Sequence, residues 1–212
     1  MNIKLLSAAL LTSSMTFAAA PVDGWYTSVF GGYTYLPNNI NTTYLGQAIS
    51  NTSANDGYNA GARLGFQSNP IRYELEYTYL EAETQNFYVN NLLQTGITGS
   101  TVGNLLMANI YYDCPEILPA IAPYLGVGIG YAFLKTTLNS TGPIIPTYFS
   151  AKENPFAYQA TAGLTYNFSE NYAANIAYRY MATSHGNHFG STFQAQMANA
   201  GVIYHFDKGT YK

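Results

Sequence analysis

The stretch Tyr58–Tyr79, YNAGARLGFQSNPIRYELEYTY, alternates strictly on both sides of a short interruption. Tyr58, Ala60, Ala62, Leu64 and Phe66 share one face, against Asn59, Gly61, Arg63, Gly65 and Gln67 on the other. Ile71, Tyr73, Leu75, Tyr77 and Tyr79 answer them, against Arg72, Glu74, Glu76 and Thr78. A period of two marks β-strands, because successive side chains point to opposite faces. With Ser68-Asn69 as turn centre, Phe66 faces Ile71. Counting back then sets Arg63 opposite Glu74, Gly61 opposite Glu76, Gly65 opposite Arg72, Ala60 opposite Tyr77 and Ala62 opposite Leu75. A slip of one residue would move Arg63 to the apolar face.

The same pattern recurs along the chain. Eight strands are expected near residues 24–36, 57–67, 71–81, 102–113, 123–134, 156–168, 172–182 and 193–206, each near the 9 to 11 residues that a tilted membrane strand requires. The connections 68–70 and 169–171 are short and 114–122 is intermediate. Those at 37–56, 82–101 and 135–155 are long, and 183–192 is intermediate. Short turns at one end and long loops at the other predict an all-β fold. It is an eight-stranded, antiparallel, up-and-down transmembrane β-barrel with periplasmic turns and extracellular loops. The loops are Asn-rich, which suits exposed irregular structure. Ser169-Glu170-Asn171 is expected to close the sixth and seventh strands, with Asn171 left-handed, Leu164 opposite Ile176 and Thr161 opposite Arg179.

Composition agrees with a membrane barrel. Charged residues make up 9% of the 212-residue chain and aromatics 16%, including 21 Tyr and 11 Phe, whereas a soluble domain carries roughly 25% charged residues. No run reaches the roughly 18 apolar residues of a membrane helix, so strands remain as the means of crossing. The net charge of -3 offers no basic patch for nucleic acid. Lys4, the apolar Leu5–Leu11 and Ala18-Ala19-Ala20 read as a signal peptide over 1–20, cleaved after Ala18 or Ala20. Residues 21–212 are then the barrel domain. The single Cys114 has no internal disulfide partner.

Which face looks outward follows from size. The fifth strand sets Leu125, Val127, Ile129, Tyr131 and Phe133 against Gly126, Gly128 and Gly130. An eight-stranded lumen is only just wide enough for side chains, so the bulky rows face lipid and the glycines make room inside. All three arginines, Arg63, Arg72 and Arg179, fall on the inward face with Glu74 and Glu76. Buried charges persist when paired, so these five residues are expected to form a lumen ion-pair network that plugs the barrel.

Other motifs carry less. Gly126-Val127-Gly128-Ile129-Gly130 lacks the helix and third-glycine spacing of a dinucleotide loop. Ser184, His185, His188 and Ser191 share a loop without a third metal ligand or an orienting acid. No catalytic residue, metal site or cofactor is therefore expected. Tyr33, Tyr35, Tyr77, Tyr79, Tyr131, Tyr178 and Tyr180 read as an interfacial girdle. Tyr44, Tyr88 and Tyr148, set among polar loop residues, are candidate contact residues.

Gly24-Trp25-Tyr26, Met107–Asp113, Pro123–Tyr131, Tyr178-Arg179-Tyr180 and the final strand ending at Phe206 together resemble the opacity-protein and OmpA-like eight-stranded outer-membrane barrels. The resemblance spans essentially the mature chain and specifies fold better than activity. It implies the outer membrane of a Gram-negative bacterium, with membrane lipid, periplasmic chaperones and the barrel-assembly machinery as partners. It also implies a surface adhesin or antigen whose loops meet a host or envelope ligand. A passive pore or a lipid A-modifying enzyme are the alternatives. Family barrels commonly end on an aromatic residue, whereas Asp207–Lys212 follows Phe206 here, so an internal assembly signal at Phe206 is expected.

Overall fold

The computed structural model describes residues 23–37, 41–44, 46–115, 121–143, 146–185 and 191–206, and the side chains of these except 44 and 51–56. The expected signal segment, His188 and the tail after Phe206 lie outside the described residues. Eight long strands build the wall: β1 (Gly24–Leu36), β3 (Gln47–Ser68), β4 (Ile71–Glu83), β7 (Thr98–Asp113), β8 (Ile121–Ser140), β10 (Phe156–Asn167), β11 (Tyr172–His185) and β12 (Thr192–His205). Four short ones belong to the connections: β2 (Thr42–Tyr44), β5 (Asn86–Val89), β6 (Leu92–Leu93) and β9 (Thr147–Glu153). The wall strands pair antiparallel in chain order, and β1 pairs with both β3 and β12. The wall is therefore closed and leaves no edge whose backbone groups would face lipid unpaired.

The register of β3 and β4 differs by two residues from the sequence-based expectation. Ser68 pairs with Ile71, which sets Arg63 opposite Glu76, Gly61 opposite Thr78, Gly65 opposite Glu74, Ala60 opposite Tyr79 and Ala62 opposite Tyr77. The turn is Asn69-Pro70, not Ser68-Asn69. Pro70 has no N–H for a ladder, whereas Ser68 can still pair. A shift of two keeps every side chain on its face, so the inward charges stay inward.

Between β10 and β11 the expected pairs hold: Leu164 lies opposite Ile176 and Thr161 opposite Arg179. Asn171, however, is not left-handed; among the described non-glycine residues, positive φ occurs at Asn90 and Asn91, between β5 and β6. Asn171 instead ties the turn to β12. Its side-chain amide donates to the His205 carbonyl at 3.1 Å, and its own carbonyl accepts from His205 N at 2.8 Å.

The outer connections are less irregular than their Asn content suggests. β3 starts at Gln47 and pairs there with β2 and β5, while β8 runs on to Ser140 against β9. Extending a ladder satisfies backbone groups that an irregular loop would have to pair with water or side chains.

The outer wall is apolar, with Val29, Leu64, Leu75, Leu125, Val127, Ile129 and Ile176 all exposed. At the short-turn end an aromatic belt runs along it. Tyr166 stacks on Phe168, Phe168 on Tyr172, Tyr172 meets Tyr204, and Tyr204 meets Phe206 at ring separations of 6.5, 6.3, 5.1 and 5.4 Å. Rings at this level anchor a barrel at the membrane interface.

The lumen is not uniform along its length. Its periplasmic half is polar. Its extracellular half is filled by Leu36, Leu80, Leu105, Met107, Leu134, Leu138, Met181, Phe193 and Met197, joined by Ile49, Phe87 and Phe149 from the extended connections. There the inner face is largely apolar too, interrupted by buried polar pairs such as Thr101 with Thr136 and Ser140 with Gln94.

Candidate functional site: the bridged lumen and the outer rim

The polar half of the lumen gathers all five charged residues read from the sequence. Arg63 Nε stands 2.7 Å from Glu76 Oε2 and 3.5 Å from Glu74 Oε2. Arg72 Nη1 lies 3.5 Å from Glu74 Oε1. Arg179 crosses the barrel from β11: its Nη1 donates to Glu76 Oε1, and its Nε donates to Asn199 Oδ1 at 3.0 Å. All five are at least nine-tenths buried. Ions so removed from water persist only when each is paired and hydrogen-bonded.

Other members of the cluster were not singled out from the sequence. Asp113 on β7 lies 2.9 Å from Arg72 Nε, so three carboxylates balance three guanidiniums. The Tyr26 hydroxyl donates to Glu74 Oε1, and Thr78 Oγ1 donates to Glu76 Oε1 at 3.0 Å. The Phe30 ring carries Arg63 Cζ at 4.0 Å from its centroid and Arg179 Cζ at 4.7 Å, so two cations share one π face system. Strand parity was the available signal: Asp113 follows Asn109 and Tyr111 on the inward face of β7, as Phe30 follows Tyr26 and Ser28 on β1.

Glycine makes this crowding possible. A Cβ at Gly65 would stand 2.3 Å from Tyr26 Cζ, and one at Gly126 would stand 2.1 Å from Tyr111 Cδ1. Each ring occupies the space that a side chain on the neighbouring strand would need. Below the ion pairs, a cavity of about 280 Å³ opens at the periplasmic end, lined among others by Gln67, Arg72, Asp113, Thr165 and His205; Cys114 sits at its edge. Above them lies the apolar half. Buried ion pairs and buried apolar side chains thus occupy successive levels of the lumen.

At the extracellular end the structure presents side chains outside the wall. Tyr148 on β9 is 61% exposed, Tyr88 on β5 is half-buried, and the side chain of Tyr44 lies outside those described. Leu92 and Leu93 on β6 are exposed, and Leu93 pairs with Tyr88 across the β5–β6 ladder. The girdle tyrosines Tyr33, Tyr77, Tyr131 and Tyr178 all face outward and are exposed; Tyr35, Tyr79 and Tyr180 face outward and are half-buried.

Comparison with known proteins agrees with this geometry. The family described as outer membrane protein beta-barrel domain matches residues 5–206. The chain belongs to that family. It is an outer-membrane protein. Among curated relatives, an uncharacterized protein of Brucella abortus is 34% identical over 90 residues, 40% of this chain and 31% of its own. Outer membrane protein PagN of Salmonella typhimurium is 29% identical over 121 residues, 53% of this chain and 49% of its own. The chain thus spans about a third to a half of the length of these relatives. Among solved structures, Neisserial surface protein A aligns with a TM-score of 0.56 at 17% identity, over 86% of this chain and 97% of its own. The outer membrane protease OmpT of Escherichia coli aligns with a TM-score of 0.55 at 7% identity, over 92% and 100%. At such identities the likeness is one of fold.

Proposed function

We propose that this barrel is a surface-exposed structural and interaction protein of the adhesin or surface-antigen type. It neither catalyses nor conducts, and it engages a host or envelope ligand through its extracellular connections. One observation carries this reading: the strand-built rim sets exposed Tyr148, Leu92 and Leu93 beyond the wall, while the lumen beneath is occupied by ion pairs and apolar side chains. Exposed apolar and aromatic groups rimmed by Asn, Thr and Ser suit protein contact. A small passive pore is the alternative and requires an open lumen. A lipid-modifying or proteolytic barrel is a further one; the OmpT likeness in fold brings no residue-level support for it. Biogenesis through periplasmic chaperones and the assembly machinery belongs to the same proposal, with Phe206 as an internal assembly signal: its N–H donates to the Trp25 carbonyl at 3.0 Å, closing the last strand on the first.

The test is adhesion of bacteria expressing the wild type or a Tyr148→Ser, Leu92→Ser, Leu93→Ser variant to host-cell monolayers. Expression should raise adhesion, and the variant should return it to the level of cells lacking the protein while still folding into the outer membrane. Equal adhesion with and without the protein refutes the proposal.

A further inference from the structure

All three arginines lie in the lumen, and the two lysines among the described residues, Lys135 and Lys152, both lie on the outside. They are also directly opposite each other. β8 and β9 pair so that Lys135 faces Lys152 across one ladder step, and both side chains are exposed. Directly opposed residues hold their Cβ atoms about 4.5–5.5 Å apart, and like charges there destabilise the pair. A single lysine at a membrane boundary is explained as an anchor reaching the headgroups. Two facing each other are explained by an anion between them.

The surroundings define which anion. On β8 the outward column runs Leu125, Val127, Ile129, Tyr131, Phe133 and then Lys135, so the cations stand one outward step past the apolar band. Tyr131 packs edge-on against Phe156 on β10, with ring centroids 5.9 Å apart, just on the membrane side. One outward step beyond the lysines, Thr137 pairs with Ser150 on one side and with Ser100 on the other, giving three hydroxyls in a row. Along the lysines' own row, Val102 separates Lys135 from Glu81, whose Oε2 already accepts from the Tyr58 and Tyr79 hydroxyls at 2.8 and 2.7 Å. Apolar wall, paired ammonium groups and hydroxyls thus follow one another from membrane to solvent as do the acyl chains of a glycolipid and its phosphate- and hydroxyl-bearing sugar.

We propose that Lys135 and Lys152, with Ser100, Thr137 and Ser150, form a binding site for the phosphorylated headgroup of an outer-leaflet glycolipid, whose acyl chains lie along Phe133, Tyr131 and Phe156. Lysine binds phosphate as a point charge, and the second ammonium supplies the charge-assisted partner for a second phosphate oxygen. The lipid removes the repulsion between the two lysines and fastens the extended β8–β9 hairpin to the membrane surface.

The test is native mass spectrometry of the full-length barrel in detergent, titrated in parallel with a bisphosphorylated lipid A, the same glycolipid dephosphorylated, and inorganic phosphate. A K135Q/K152Q variant and a charge-keeping K135R/K152R variant accompany the wild type, and heat-modifiable gel migration confirms folding of each. The wild type should retain one phosphorylated glycolipid, the glutamine variant should bind it at least about tenfold more weakly, and the arginine variant should keep it. Dephosphorylated glycolipid should not distinguish wild type from glutamine variant, and millimolar phosphate should not displace the lipid. Equal retention by wild type and glutamine variant overturns the site. Displacement by phosphate alone overturns the lipid as its occupant. Should the glutamine variant not fold, the single variants K135Q and K152Q carry the same comparison.

Discussion

Arg179 and Glu76, 103 residues apart in sequence, meet in the centre of the barrel from walls that face each other across the lumen. Going round the closed ladder, β4 and β11 are separated by three strands on either side. Glu76 also takes Arg63 on its other oxygen, so one carboxylate ties three strands together. The ion cluster acts as a crossbar for the fold.

Removing Glu76 should therefore be more damaging than removing an arginine. Glu76→Ala leaves both Arg63 and Arg179 short of their partner and is expected to destabilise the barrel by roughly 3 to 5 kcal/mol. Combined with Arg179→Ala, the losses should be non-additive by about 1 kcal/mol or more. Reversible urea unfolding in lipid vesicles measures both quantities; additive losses would mean that the two side chains do not act together.

Lipid-facing and lumen-facing positions on one strand should respond differently to the same residue. Arginine at Leu64 or Ile129 is expected to cost about 2 to 4 kcal/mol if the site lies near the bilayer midplane. At Gly128 the penalty arises from crowding instead, since a Cβ there would stand 1.8 Å from Asn109 Oδ1. Alanine separates the two mechanisms: Gly128→Ala should destabilise, whereas Leu64→Ala should be tolerated in lipid. A barrel indifferent to arginine at Leu64 would reverse the assignment of faces.

The apolar half of the lumen makes its own prediction. Leu105 is fully buried between the ion pairs and the extracellular end, so Leu105→Ala should cost about 2 to 5 kcal/mol. Its neighbour Leu106 faces outward, and Leu106→Ala should cost much less in lipid. Equal costs in the two variants would show that the extracellular half of the lumen is not packed.

Much of this was legible in the alternation alone. The barrel, its inside and outside, and the inward setting of Arg63, Arg72, Glu74, Glu76 and Arg179 all follow from a period of two, because parity survives any even error in counting. Pairing was legible between β10 and β11 but not between β3 and β4: placing the β3–β4 turn at Ser68-Asn69 moved every partner there by two, and only the exclusion of Pro70 from the ladder corrects it. The apolar half of the lumen was hidden for a different reason. Where Leu105 and Met107 point inward while Leu106 and Ala108 point outward, both faces are apolar and the alternation signal vanishes. The outer connections hid their strands behind Asn-rich composition, since pairing there depends on a partner strand and not on local preference.

Orientation in the cell can be read directly. An epitope inserted at Ser53, in the extended part of β3, should be reached by antibody on intact cells, because it lies at the end opposite the Asn69-Pro70 turn. An epitope at Asn69 should be reached only after the outer membrane is opened. The reverse pattern would turn the barrel over.

Single-channel recording in planar bilayers tests the closed lumen most directly. With the wild-type barrel inserted, no conductance steps above the bare bilayer are expected, and Glu76→Ala alone should remain silent because the apolar half still fills the lumen above it. Steady, reproducible steps from the wild type, altered by substitution at Arg63 or Arg179, would contradict a filled barrel and favour a pore.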